Sequence, residues 1–507
     1  MRIFCLIEPF LFNVDDHPGG KHPRHTPEVV VSENRSPLYR LLILASCCLG
    51  PPSMDVPFVN RLPPELLVAI TTFITDQSTI FRLATVCRYW HNVLTETTTL
   101  WTSIDCRSTS RTVILLQRSK TSPIDLTVDR ASYAPGAIAF VSSHTHRIRS
   151  INVILSTREL EAFRYLLHGP APILKVMRLQ GQNENFPPPT LFLPHYSSFF
   201  RGHFPTLRTL HLEGYPLDLA RSVPMMTNGL TTLVLDNRGN HQLRDLLEYL
   251  EHCQKLECLK INLPDLQGIV PSSRIVSLPN LRELQLLRSP FTTLHHLSFP
   301  PSTDLTIQSP VRIYAAGYPL PDVWAQDGLH HIFKLRTIKG IKMMFYRHNC
   351  VVGLLGPHLT LVVQARANDS NPGSFHSDCL DSFQVLPIND TESFRFIQPP
   401  RYQFTGTLRL QSCIGLLSRM PALKEIVLNV SVVPFFTHAL GPVAGEILCP
   451  KLRELTVIRG TDHGADLSDS LLALSDQRKE HGYPLVCSIG SPDPLNWPKI
   501  VGLERVV

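Results

Sequence analysis

The sequence predicts a chain of mixed α and β structure: a small helical module near the N-terminus, then a long solenoid built from strand-containing repeats. Three observations predict it. Residues 62–101 carry large apolar side chains at helical spacing behind a Pro63-Pro64-Glu65 start. A six-residue pattern, apolar-x-x-apolar-x-apolar, recurs from Ile148 onward. Proline supplies 43 of 507 residues, well above the usual ~5%, so elements are short and interrupted, unlike a coiled coil or a plain helix bundle.

The length corresponds to about three domains and can bury a sizeable core. Apolar residues make up 43% and charged residues 18%, which excludes wholesale disorder. The net charge of +6 comes without a basic run, so no nucleic-acid groove is expected. The twelve cysteines contain no C-x-x-C pair. That argues against a disulfide framework or zinc ribbon and for a reducing compartment, cytoplasmic or nuclear. The apolar run Leu41–Leu49 is far shorter than the ~20 residues a membrane span needs, so no membrane association is expected.

Residues 1–53 read as a disordered tail, or as sequence upstream of a start at Met54. His17-Pro18-Gly19-Gly20 is similar to the haem-ligand motif of cytochrome b-type domains. Phe12 lies one position off that pattern and His22 and His25 are too close to serve as a second axial ligand, so the segment reads as a turn and no cofactor is expected.

Residues 54–107 read as a helical module. Proline is tolerated in a first helical turn and Glu65 suits the helix dipole there. Leu66, Leu67, Ile70, Phe73 and Ile74 follow at helical spacing. Asp76 or Ser78 can cap a second helix, in which Leu83, Val86, Cys87, Trp90 and Leu94 share one face. Leu100-Trp101 forms a short third turn against the pair. About fifty residues cannot bury so many large apolar groups alone, so the module implies a partner surface.

The segment resembles the F-box. Leu62-Pro63-Pro64-Glu65-Leu66-Leu67, Val86-Cys87-Arg88-Tyr89-Trp90 and Leu100-Trp101 stand in that family's order and spacing, over about 50 of the 507 residues. The very large sets of such proteins in fungi often join the module to repeats. The resemblance implies docking on the Skp adaptor of a cullin–RING ubiquitin ligase, with the rest of the chain selecting a protein substrate. It implies that Leu62, Pro63, Pro64, Glu65, Leu66 and Ile70 line the adaptor contact, and that Leu83, Val86, Cys87, Trp90 and Trp101 join it or hold the helices together. Thr71-Thr72-Phe73 stands where many members have Phe or Leu.

Residues 108–507 read as one repeat domain. Thr112–Lys120 forms a short helix, Ser122-Pro123 a turn and Ile124–Val128 a strand. The hexapeptide then begins at Ile148, Leu174, Leu207, Leu230, Leu256 and Leu281, and again at Leu423 and Leu452. The steps of the first run are 26, 33, 23, 26 and 25 residues. All but one fall in the 20–29 range of leucine-rich repeats, so the fold expected is a degenerate leucine-rich-repeat solenoid. Leu243–Cys253 reads as a return helix. Residues 290–405 phase poorly, although Leu305–Ile307, Leu359–Val363 and Leu408–Leu410 have strand character, and Asn368–Ser377 is a loop by composition. Residues between the apolar positions, namely Thr209, His211, Thr232, Val234, Cys258, Lys260, Glu283, Gln285, Glu425, Val427, Glu454 and Thr456, should face the substrate side.

No P-loop, G-x-G-x-x-G, H-E-x-x-H or G-x-S-x-G motif is present. The pairs His144/His146, His295-His296 and His330-His331 lack a third ligand nearby. The expectation is a non-catalytic substrate receptor without metal or cofactor. The competing readings are a repeat-type interaction scaffold unconnected to ubiquitin transfer, and a hydrolase hidden in the long domain.

Overall fold

The computed structural model describes residues 62–490 apart from 75, 130–133, 157–158, 160–162, 164–165, 167, 182–202, 215–228, 237–240, 265, 269, 272, 310–336, 346–348, 367–374, 398–407, 443–445 and 459–465. The segment 1–53 with its His17 motif, the His330-His331 pair and most of the Asn368–Ser377 loop lie outside the described residues. Two compact units are formed, one of residues up to Met177 with 203–206, the other of the residues from Arg178 onward apart from these four.

In the first unit, helices α1 (Pro64–Thr72), α2 (Gln77–Leu83) and α3 (Arg88–Glu96) are followed by a 3₁₀ turn at Thr98–Trp101. Three parallel strands come next: β1 (Ser103–Asp105), β2 (Ile124–Asp129) and β3 (Ile148–Leu155). Helices α4 (Thr109–Arg118) and α5 (Pro135–Ser142) make the crossovers that parallel strands require. Strand β4 (Val176–Gly181) ends the first series and buries Met177 and Leu179.

The sequence reads residues 78–94 as one helix, and the structure breaks it. Backbone bonds from Thr85 to Arg82 and from Val86 to Leu83 close the α2 end as tight turns. Cys87 is extended, with φ −159° and ψ 168°, and caps α3 by accepting the Trp90 N–H on its sulfur. Two β-branched residues, Thr85 and Val86, weaken helix continuation at this point. The break turns Val86 out to solvent.

The second unit holds β5 (Thr209–Glu213), β6 (Thr232–Asp236), β7 (Cys258–Asn262), β8 (Glu283–Leu287), β9 (Asp304–Ser309), β10 (Gly340–Phe345), β11 (Asn349–Gly356), β12 (Leu359–Arg366), β13 (Ser393–Ile397), β14 (Glu425–Asn429), β15 (Glu454–Ile458) and β16 (Val486–Gly490). Their order in the sheet is β5-β6-β7-β8-β9-β12-β11-β10-β13-β14-β15-β16. The hexapeptides stand side by side. Leu210, Leu233, Leu259, Leu284 and Leu305 are register partners, and so are Ile426 and Leu455. These leucines are at most 1% exposed. Helices α6 (Leu243–Glu251), α7 (Phe375–Asp381), α8 (Leu410–Ser418), α9 (Val433–Leu440) and α10 (Asp466–Glu480) complete the described elements of this unit, apart from short 3₁₀ turns and two-residue bridges. Residues Leu408–Leu410, expected as a strand, instead lead into α8.

Where the repeats could not be phased, β10, β11 and β12 form an antiparallel meander inside an otherwise parallel sheet. Pro357 and His358 alone join β11 to β12, far too short for a parallel crossover. Alternate residues on both faces are covered here: Met343 and Val352 on one, Met344, Val351 and Val362 on the other. Burial on both faces removes the apolar–polar alternation. Among the described residues no helix is long and apolar enough to cross a membrane.

Candidate functional site

The helical module packs around a small core that α4 helps to close. Trp101 and Leu94 are fully buried, and the Trp101 indole N–H donates to the Leu94 carbonyl at 2.7 Å. Trp90 is 7% exposed, and Leu62, Leu67, Ile70 and Leu100 are buried as well. Asp76 caps α2, accepting from the backbone N–H groups of Ser78 and Thr79. The Ser78 hydroxyl bond is the main reason that the Asp76 carboxyl sits well below the usual range. The Tyr89 hydroxyl donates to the Leu62 carbonyl, tying α3 to the segment entering α1. Thr71 is buried, and its hydroxyl donates to the Leu67 and Val68 carbonyls.

Other apolar groups of the module face water. Leu66 is 36%, Phe73 52% and Val86 51% exposed. Pro63, Pro64 and Glu65 are exposed beside them. Leu66, Ile70 and Phe73 stand at i, i+4 and i+7 of the α1 region, one stripe running from buried at Ile70 to open at either end. The eleven sequence-derived residues therefore divide. Pro63, Pro64, Glu65, Leu66 and Val86 are exposed, Leu83 and Cys87 are half-buried, and Leu62, Ile70, Trp90 and Trp101 belong to the core. Phe73, absent from that set, is the most exposed large apolar residue among the described residues of the module. Its place at i+7 from Leu66 is the signal that could have found it.

The open side of the second unit's sheet behaves differently. Thr209, His211, Thr232, Val234, Cys258, Lys260, Glu283 and Gln285 are all half-buried between fully buried neighbours. Glu283 gathers this face. It meets the Lys260 ammonium at 2.9 Å, the Cys258 thiol at 3.1 Å and the Gln285 amide at 2.6 Å. Burial works against the Glu283 charge, but the bonds from Lys260 and Cys258 outweigh it and hold the carboxyl down. Burial, reinforced by Glu283, pushes the Cys258 thiol up to about 12, so it is not a nucleophile at neutral pH. Burial also lowers His211. Farther along, Glu425 pairs with Arg395, while Val427 is nearly covered.

An open groove of about 410 Å³ lies where β10, β13 and β14 begin. Within it Glu392 is held between Lys339 and Lys424 at 2.8 and 2.6 Å. These two hydrogen bonds bring its carboxyl down to about 2. Among the described residues no group of three His, Cys, Asp or Glu side chains could hold a metal ion.

Residues 59–107 match the F-box-like family. The match covers all three helices, the 3₁₀ turn and β1. An F-box-like domain points to a role in adapting proteins to a ubiquitin ligase or in protein interaction, and domains of this family generally bind the Skp adaptor. No curated protein matches the chain.

Proposed function

We propose that the chain is the substrate-recognition subunit of a Skp–cullin–F-box ubiquitin ligase. The observation that carries this reading is the F-box-like match over a module whose two tryptophans close its core while Leu66, Phe73 and Val86 stay in water. Exposed apolar groups on a small, already satisfied core are the mark of a docking surface. In this reading Pro63, Pro64, Glu65, Leu66, Phe73 and Val86 meet the adaptor. Leu62, Ile70, Leu83, Cys87, Trp90 and Trp101 hold the helices in place beneath them.

Residues 108–507 supply the client surface, as a degenerate leucine-rich-repeat solenoid. Its open face is a polar, hydrogen-bonded sheet carrying His211, Lys260, Glu283 and Gln285, of a kind suited to another protein's surface. The protein does no chemistry itself and uses no cofactor. Its role is to hold a protein client near the ligase, in the cytoplasm or nucleus.

The test is co-purification of the full chain with the Skp adaptor, together with client capture while the proteasome is blocked. Binding of the adaptor lost on Leu66→Ala/Phe73→Ala/Val86→Ala, in a chain that melts normally, supports the reading. An interaction scaffold unconnected to ubiquitin transfer would ignore the adaptor from the outset.

A further inference from the structure

Helix α4 places Arg111 and Arg118 seven residues apart, on one face. Both guanidinium groups lie over the same ring: that of Phe81, at 5.6 Å for Arg111 and 5.0 Å for Arg118. Arg118 also stacks on Trp101 at 4.4 Å. The two rings are themselves in contact, 5.0 Å apart and tilted by 58°. The result is an aromatic platform under two cations.

Among the described residues neither cation is neutralised. Among the described residues, Arg107 and Arg149 of the same unit each have a carboxylate, Asp105 and Asp125. Arg147 spends its donors on the Ser119 hydroxyl and the Ser122 carbonyl. Arg111 and Arg118 meet no carboxylate there, and Arg111 Nε and Arg118 Nη1 are buried without any acceptor. Buried donors without partners are uncommon and costly, and two like charges converging on one ring add repulsion. A guanidinium held over aromatic rings presents a preorganised fork to a carboxylate.

We propose that Arg111 and Arg118, on the Phe81–Trp101 platform, form a docking point for side-chain carboxylates of an acidic protein segment. An incoming carboxylate supplies the counter-charge that the described residues leave out. The site does not depend on the adaptor reading, since it asks only for an acidic chain.

The probe is a hexaglutamate peptide titrated into the full chain at low salt, followed by calorimetry and by tryptophan fluorescence. Saturable binding is expected, weakened at least about tenfold by Arg111→Gln/Arg118→Gln and less by Arg118→Lys, which keeps the charge. The fluorescence change should be lost in Trp101→Phe, which keeps an aromatic ring beneath Arg118, while the heat of binding falls by less than in the double variant. This second readout stands even if the double variant melts early. Equal affinity in wild type and a folded double variant, a fluorescence change that survives Trp101→Phe, or binding of inorganic phosphate but not of the peptide would overturn the proposal.

Discussion

The indole N–H of Trp101 donates to the carbonyl of Leu94 at 2.7 Å, and both residues are wholly buried. This bond joins the 3₁₀ turn to the last turn of α3, where helix carbonyls lack partners of their own. Trp101 is therefore a structural residue, which sets it apart from Leu66, Phe73 and Val86 on the same module.

Trp101→Phe should cost about 1–3 kcal/mol, because a buried carbonyl loses its donor. Trp101→Ala should cost about 3–5 kcal/mol. Thermal or urea unfolding checks both. Leu66→Ala, Phe73→Ala and Val86→Ala, each at an open position, should stay within about 1 kcal/mol of the wild type in the same experiment.

Arg478 offers a second stability test. It is fully buried, and it donates to the carbonyls of Leu440 and Leu448 at 3.0 Å each and of Cys449 at 2.9 Å. These bonds pin α10 to the C-terminal end of α9 and to the loop that follows it, where Cys449 has a positive φ of 53°. Arg478→Met keeps the apolar stem but strands three carbonyls, and should cost about 3 kcal/mol. Hydrogen exchange should show the loss concentrated in α10, β15 and β16.

Lys342 makes a prediction about pH. It sits on β10 in the two-sided part of the sheet, 8% exposed. Burial, with Arg395 beside it, pulls its ammonium down to about 8. A lysine whose folded pKa lies below its unfolded value near 10.4 binds fewer protons when folded. Stability should therefore rise between about pH 8 and pH 10, by roughly 1–3 kcal/mol. Lys342→Met should be more stable than wild type at pH 7 and should lose most of that rise, as denaturant melts across the range would show.

Legibility from sequence followed the periodicity. The hexapeptides starting at Leu207, Leu230, Leu256 and Leu281 were readable because one face of each strand is buried and the other is not, so alternation survives in the residues. Around Ile341–Phe345 and Val351–Leu354 both faces are covered, alternation disappears, and the meander was invisible. The α2–α3 break was missed because Leu83, Val86, Cys87 and Trp90 keep helical spacing across it, although Cys87 ends it by capping α3. Within the module the residue types were legible but their direction was not. Leu62 and Leu66 look alike in sequence, and only the three-dimensional packing puts one inside and the other out. Arg111 and Arg118 carried no motif, since a platform of Phe81 and Trp101 is assembled only in three dimensions.

The most direct test is the affinity of the full chain for the Skp adaptor, measured by calorimetry for wild type and for Leu66→Ala/Phe73→Ala/Val86→Ala. Tight binding by the wild type, falling by at least about a hundredfold in a triple variant with an unchanged melt, is the predicted result. Undiminished binding by the folded triple variant, or no binding by the wild type, would contradict the account.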